Sequence, residues 1–220
     1  MDLSIFTEYG PRLLAGFRLT IICWLLGTLF GAALGLLIAV AQRYGGRAVR
    51  WALQTYIELI RGTPFLVQLF LLYYGGPMIG LRLDTLPAGL LGLTIYGSPY
   101  FAEIFRSAFR AVPPGLIEAG RAIGMTELAI VRRILLPVGL VSALPALINF
   151  SIILTKETVI LSIITVPEVM YQTQYMATMT FTYLEGYFAL ALFFWVFVEV
   201  ISRLGRRLER RITRHLIERT

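Results

Sequence analysis

The sequence predicts an all-α membrane protein. Five transmembrane helices fall in one domain over residues 1–220, with a polar loop of two short helices between the third and fourth. Three observations predict this. Hydrophobic residues make up 57% of the chain and the mean hydropathy is +0.74, too apolar for a water-exposed surface. Uncharged runs of spanning length recur, the first from Leu19 to Gln42. The arginines gather at residues 43–50, 103–133 and 203–219, whereas the 75–88 and 165–186 connections hold Arg82 alone. Basic connections stay cytoplasmic, which places the N-terminus outside and the C-terminus in the cytoplasm.

The expected spans are about 13–42, 52–80, 86–110, 134–156 and 186–204. Asp2 and Glu8 precede the first and argue against a cleaved secretory signal, which would carry positive charge there. Gly27, Gly31, Gly35 and Ala39 recur every four residues, a face of small side chains that lets another helix approach closely. Packing within the chain is the preferred use of that face over a dimer seam. In the second region Glu58 and Arg61 stand three apart before Gly62-Thr63-Pro64, where the proline predicts a kink or a helix start. Arg61 either pairs with Glu58 or stands beside a polar pathway, with Thr63 and Gln68 as neutral hydrogen-bonding groups.

Gly89, Gly92, Gly97 and Pro99 loosen the third span, which ends in Glu103, Arg106 and Arg110 at pairing distance along a helix. Pro145 and Asn149 interrupt the fourth, and Lys156-Glu157 closes it. The stretch from Val159 to Val166 is too short to cross a bilayer, so residues 157–185 are expected to be re-entrant or external. The last span runs on into a basic helix. Leu204, Leu208, Ile212 and Leu216 form its apolar stripe and Arg206, Arg207, Arg210, Arg211 and Arg214 its other faces, suited to anionic lipid.

Several chemistries are excluded. Cys23 is the sole cysteine and His215 the sole histidine, so neither a disulfide within the chain nor a zinc-type ligand set can form. Lys156 is the sole lysine and follows Ile153-Leu154-Thr155 rather than glycines, so a phosphate-binding loop is absent. The chain is expected to hold no cofactor or metal and to catalyse nothing alone. Its net charge of +7 belongs to membrane flanks rather than to a nucleic-acid fold.

Residues 118–137 are polar between long apolar runs. They read as two short helices hinged at Gly124, with Thr126 capping the second through Ala129, and Pro137 in the first turn of a further helix. Glu118, Ala119, Gly124, Ile134, Leu136 and Pro137 fall in the spacing of Glu-Ala-Ala, three residues, Gly, nine residues, Ile, one residue, Leu-Pro. This resembles the cytoplasmic loop signature of binding-protein-dependent ABC importer permeases. Gly120 replaces the usual second alanine, lowering helix propensity without adding bulk.

Three further stretches are similar to the polar amino-acid group of that family, which handles histidine, arginine, glutamine and related solutes. They are residues 56–75, residues 97–124 with Gly97, Tyr100, Ala102, Glu103, Ile104, Arg106, Val112, Pro113 and Gly115, and residues 155–158. The resemblance implies the type I ABC importer permease fold. It also implies a second permease subunit, identical or paralogous, two ATPases that hold ATP and Mg, and an external solute-binding protein. Glu118, Ala119, Gly120, Arg121 and Gly124 are then expected at the ATPase contact, within residues 113–137. Glu118 could instead charge the start of its own helix.

For the solute, residues 149–158 offer the densest polar set: Asn149, Ser151, Thr155, Lys156, Glu157 and Thr158. The resemblance favours Glu157 as the carboxylate facing a solute ammonium, with Lys156, Asn149, Thr155, Gln68, Thr63 and Glu103 along the pathway. Glu157 could instead pair with Lys156 or cap the following half-helix, and Glu103 could pair with Arg106 and Arg110. Two other classes stay open: an ion-coupled secondary transporter using Glu103 or Glu157, and a membrane anchor without transport.

Overall fold

The computed structural model describes residues 5–217, without the side chains of Phe6 and 213–217. Asp2 and the side chains of Arg214, His215 and Leu216 therefore lie outside the described residues. The chain folds as α1 (Ile5–Tyr44), α2 (Arg47–Arg61), α3 (Phe65–Phe70), α4 (Thr85–Ala111), α5 (Pro114–Ala122), α6 (Glu127–Ile130), α7 (Leu136–Glu157), α8 (Val169–Thr180) and α9 (Tyr183–Ile217). Irregular turns extend some of these. A π turn and a 3-10 turn continue α3 to Ile79, and a π turn over Val131–Leu135 joins α6 to α7. A 3-10 segment over Thr158–Ile164 follows α7. No strand occurs among the described residues.

The core is built on α1 against α4. A Cβ placed on Gly27 would lie 2.9 Å from Leu93 Cβ, and one on Gly31 3.3 Å from the Phe101 ring. At Gly35 it would lie 2.6 Å from Phe101 Cβ, 2.7 Å from Ser98 O and 2.8 Å from Ala102 N. The small-residue face thus packs within the chain, as its spacing predicts, and Ala39 extends it, buried. On its other side α4 meets α7: Phe150 stacks on Tyr100 at 4.7 Å and stands edge-on to Phe101 at 4.9 Å.

Among the described residues three helical runs are long and apolar enough to cross a membrane alone: Thr7–Tyr44, Glu127–Ile164 and Tyr183–Ile212. The pair Arg47–Arg61 and Phe65–Ile79 makes a fourth if taken as one span. Within the second span expected over 52–80 the pair bends by 107°, at the break that Pro64 predicts. Pro64 has no N–H to continue the ladder and drives its predecessor out of the helical region. The Gln68 amide donates to two carbonyls beside the break, Ile60 O at 2.7 Å and Thr63 O at 3.0 Å. The α4 helix, 27 residues long, is not among the runs that apolar. Its Gly89, Gly92, Gly97, Ser98 and Pro99 are buried against neighbouring helices, where bulk apolar surface is not needed. The fourth span does not begin afresh at 134. It belongs to one helical run from Glu127, in which the π turn absorbs the missing N–H of Pro137.

Beyond the spans, Glu168 anchors α8 on α1. Its carboxylate caps α8, Oε1 accepting from Tyr171 N at 2.9 Å and Oε2 from Met170 N at 3.0 Å. Thr20 Oγ1 lies 3.4 Å from Oε2 and accepts from Val169 N at 3.1 Å. Burial pushes the carboxyl up to about 7, against the opposing pull of those hydrogen bonds. A raised folded-state value means that the folded form holds the proton where the unfolded chain has lost it. The stabilisation is full below the ordinary carboxylate value and disappears as pH rises through about 7. Thermal unfolding of the purified protein should therefore show a midpoint that falls from pH 5 to pH 8, by an amount equivalent to about 3 kcal/mol. In Glu168→Gln that slope should vanish; an unchanged slope would assign it to another group.

Candidate functional site

Two places concentrate the candidate residues. The first is the corner between α5 and α6. Gly124 adopts φ +80°, the left-handed region that closes a helix with least strain when the residue is glycine. Met125 N donates to Gly120 O at 3.0 Å and Gly124 N to Arg121 O at 2.9 Å, the paired bonds of a Schellman ending. Thr126 Oγ1 then accepts from Ala129 N at 3.2 Å and opens α6, as the sequence predicts. Arg121 spans the corner, Nε donating to Glu127 Oε1 at 2.8 Å and Nη2 to Oε2 at 3.2 Å. The corner is thus held by its own backbone and one bidentate ion pair.

Its two faces differ. Ile117, Gly120 and Ile130 are buried, and a Cβ on Gly120 would lie 2.9 Å from Ile134 Cδ1. Gly120 therefore sets how closely α5 sits on the helix behind it rather than facing outward. Glu118, Ala119, Arg121 and Gly124 are exposed, beside Leu116, Ile123 (79% exposed) and Leu128 (75%). The three apolar side chains were absent from the sequence-based site; isolated leucine and isoleucine in a polar loop were the available signal. Glu118 lies beyond the first turn of α5, so it does not charge that helix start. It lines a cavity of about 250 Å³ together with Arg43, Arg110 and Arg121.

The second place lies where α3, α4 and α7 meet. Phe65 packs on Tyr96 at 4.9 Å, Tyr96 on Tyr100 at 5.3 Å, and Tyr100 on Phe150. The half-buried Glu157 carboxylate faces the Tyr96 hydroxyl, beside the second ring of this row. The Arg61 guanidinium lies 5.4 Å from the centroid of the neighbouring Tyr100 ring. Arg61 makes no ion pair with Glu58, which accepts from Gln54 Nε2 at 2.7 Å instead. Nor does Glu157 cap the following segment or pair with Lys156. The two tyrosines in the middle of the row thus carry one anionic and one cationic neighbour.

The remaining candidates distribute around it. Lys156 and Asn149 are exposed. Thr155 is buried and donates to Ile152 O at 2.6 Å, so its hydroxyl is committed to its own helix. Thr63 donates to Leu59 O at 2.9 Å, and Gln68 holds the α2–α3 bend through its amide while its Oε1 is buried without a partner. Glu103 is bound to Arg106, with Nε at 3.0 Å, which removes it from the free carboxylates. No cluster of His, Cys, Asp and Glu able to hold a metal occurs among the described residues.

Comparison with known proteins agrees with these features. The family described as binding-protein-dependent transport system inner membrane component matches residues 31–214. The glutamine transport system permease protein GlnP of Escherichia coli is 36% identical over 204 residues, covering 92% of this chain and 93% of its own. The probable amino-acid ABC transporter permease protein YckA of Bacillus subtilis is 31% identical over 209 residues, 95% and 92% of the two chains. A solved amino acid ABC transporter with histidines superposes with TM-score 0.86 at 34% identity, covering 96% of this chain and 99% of that one. The inward-facing MetNI methionine transporter, at TM-score 0.74 and 22% identity, shares the fold. The chain belongs to the binding-protein-dependent transport system inner membrane component family, as a membrane-spanning permease component of bacterial ABC importers for amino acids.

Proposed function

We propose that this chain pairs with a second permease subunit to carry polar or charged amino acids inward, receiving them from an external solute-binding protein. Two ATPase subunits dock on residues 113–137 and supply the ATP and Mg chemistry that this chain has no residues to perform. The observation that carries this reading is the α5–α6 corner: a rigid, self-capped element with Leu116, Ile123 and Leu128 exposed around Glu118 and Ala119. Exposed apolar side chains on a polar rim mark a docking patch. A rigid corner transmits displacement of a bound ATPase to α4 and α7, its flanking helices, so that the permease alternates between two packed arrangements. On the sequence reading of five spans with the N-terminus outside, the corner lies in the cytoplasm where an ATPase can reach it. The basic stripe of α9 meets anionic lipid at that same surface.

Within the membrane the aromatic row matches a zwitterion. Glu157 receives the ammonium, Arg61 the carboxylate, and tyrosine hydroxyls replace water along the way. Reconstitution into proteoliposomes with the ATPase tests the whole assignment. Uptake should require ATP and binding protein together, and uptake driven by a proton or sodium gradient alone would replace it with the ion-coupled reading. Glu157→Gln, in a complex whose ATPase coupling is intact, should lower uptake of cationic amino acids by tenfold or more, about 1.4 kcal/mol. Neutral amino acids should lose less. Equal kinetics for every solute would remove Glu157 from the pathway.

A further inference from the structure

We infer that the arginine-walled cavity between the ends of α1, α2 and α4 binds the phosphate of an anionic phospholipid. The cavity, about 680 Å³, is lined by Arg43, Arg47, Arg50, Arg106 and Arg110, with Gln42 and Gln54 on the wall and Ala39, Trp51 and Phe109 as apolar surface. Of these arginines, Arg106 is neutralised by Glu103. Arg47, Arg50 and Arg110 have no carboxylate partner among the described residues.

The placement of Arg47 and Arg50 is unfavourable for the protein alone. Both sit in the first turn of α2, a helix of 15 residues with no acidic group in that turn. Its N-cap, Gly46, supplies no side-chain hydrogen bond. The positive end of the helix dipole and its open N–H groups therefore face two further positive charges. A bound anion reverses that repulsion, taking guanidinium bonds in the bidentate manner that phosphate accepts and lying against the open end of α2. On the wall beside these arginines Gln42 Nε2 donates to Gln54 Oε1 at 3.4 Å.

The same chemistry suits a free phosphate or a lipid headgroup. The surroundings favour the lipid. Trp51, 73% exposed, and Val49 project from α2 beside the arginines, so the helix offers apolar contact for acyl chains next to an oxyanion site. Basic pockets between membrane helices hold anionic headgroups for this reason. This site is separate from the stripe on α9 and from the solute pathway. It rests on the chain being a membrane permease, not on the substrate assigned above.

Trp51 is a built-in reporter. The assembled complex, permease with its ATPases, is placed in nanodiscs of phosphatidylcholine and titrated with dibrominated phosphatidylglycerol, whose bromines quench nearby indoles. Wild-type fluorescence should be quenched saturably at a low mole fraction, and the saturable component should be missing in Trp51→Phe. In Arg47→Gln/Arg50→Gln, both exposed positions, the half-saturating fraction should rise about thirtyfold, the usual increment for two arginines. Dibrominated phosphatidylcholine should give only non-saturable quenching. Equal quenching by the two lipids, or by wild type and double variant, would overturn the site. Displacement of the brominated lipid by millimolar inorganic phosphate would overturn the lipid as its ligand.

Discussion

Gly35→Val is expected to leave almost no folded permease in the membrane fraction. The added atoms meet not flexible side-chain ends but the backbone of α4. A Cβ alone would lie 2.7 Å from Ser98 O and 2.8 Å from Ala102 N, distances that real Cβ atoms do not adopt. Relief requires α1 to move away from α4 over the whole seam that also includes Gly27 and Gly31. Ordinary overpacking costs about 1–3 kcal/mol. Here the displaced partner is a helix buried on most sides, so the loss should reach at least about 3 kcal/mol, a large share of a typical domain's margin. Gly31→Ala is the matched control. Its Cβ would face the edge of the Phe101 ring at 3.3 Å, which a small ring tilt relieves. The yield of monodisperse protein should follow the order wild type, Gly31→Ala, Gly35→Val. Equal yields would mean that α1 packs elsewhere.

Much of this arrangement was legible because it is local. The four-residue glycine period marks a close helix contact whatever the partner is, and its partner proved to be α4. The α5–α6 corner was legible for the same reason. Gly124 and Thr126 carry left-handed and capping chemistry at a spacing that admits one solution, and the bonds from Met125 and to Thr126 have formed as that solution requires. Side chains whose partners come from other elements were not legible. Arg61 and Glu58 stand at pairing distance in sequence, yet Gln54 takes Glu58 and the break at Pro64 leaves Arg61 over Tyr100. The row from Phe65 through Tyr96 and Tyr100 to Phe150 joins three helices, and no spacing rule brings them together. The prolines, by contrast, were legible. The break expected at Pro64 is a 107° bend after which α3 begins, and Pro137 sits in the first turn of α7, although a π turn joins that helix to α6.

Gly124→Val should abolish ATP-dependent uptake while the protein still inserts and binds its partners in the membrane. At φ +80° a β-branched side chain crowds its own backbone, by about 1–2 kcal/mol, although the space outside is open, with nothing within 4 Å of a Cβ. The core therefore does not oppose the substitution, and the corner relieves the strain by leaving the left-handed conformation. That change breaks the bonds from Gly124 N to Arg121 O and from Met125 N to Gly120 O. The entry angle of α6 then changes, carrying Leu128 away from Ile123 and Leu116. Uptake should fall at least tenfold, with ATP hydrolysis persisting but no longer stimulated by the loaded binding protein. Asparagine tolerates the left-handed region, so Gly124→Asn should retain uptake within about threefold of wild type. That rescue separates backbone geometry from mere intolerance of a side chain at the docking face. Wild-type uptake in the valine variant, or equal loss in both variants, would show that transport does not depend on the conformation at Gly124.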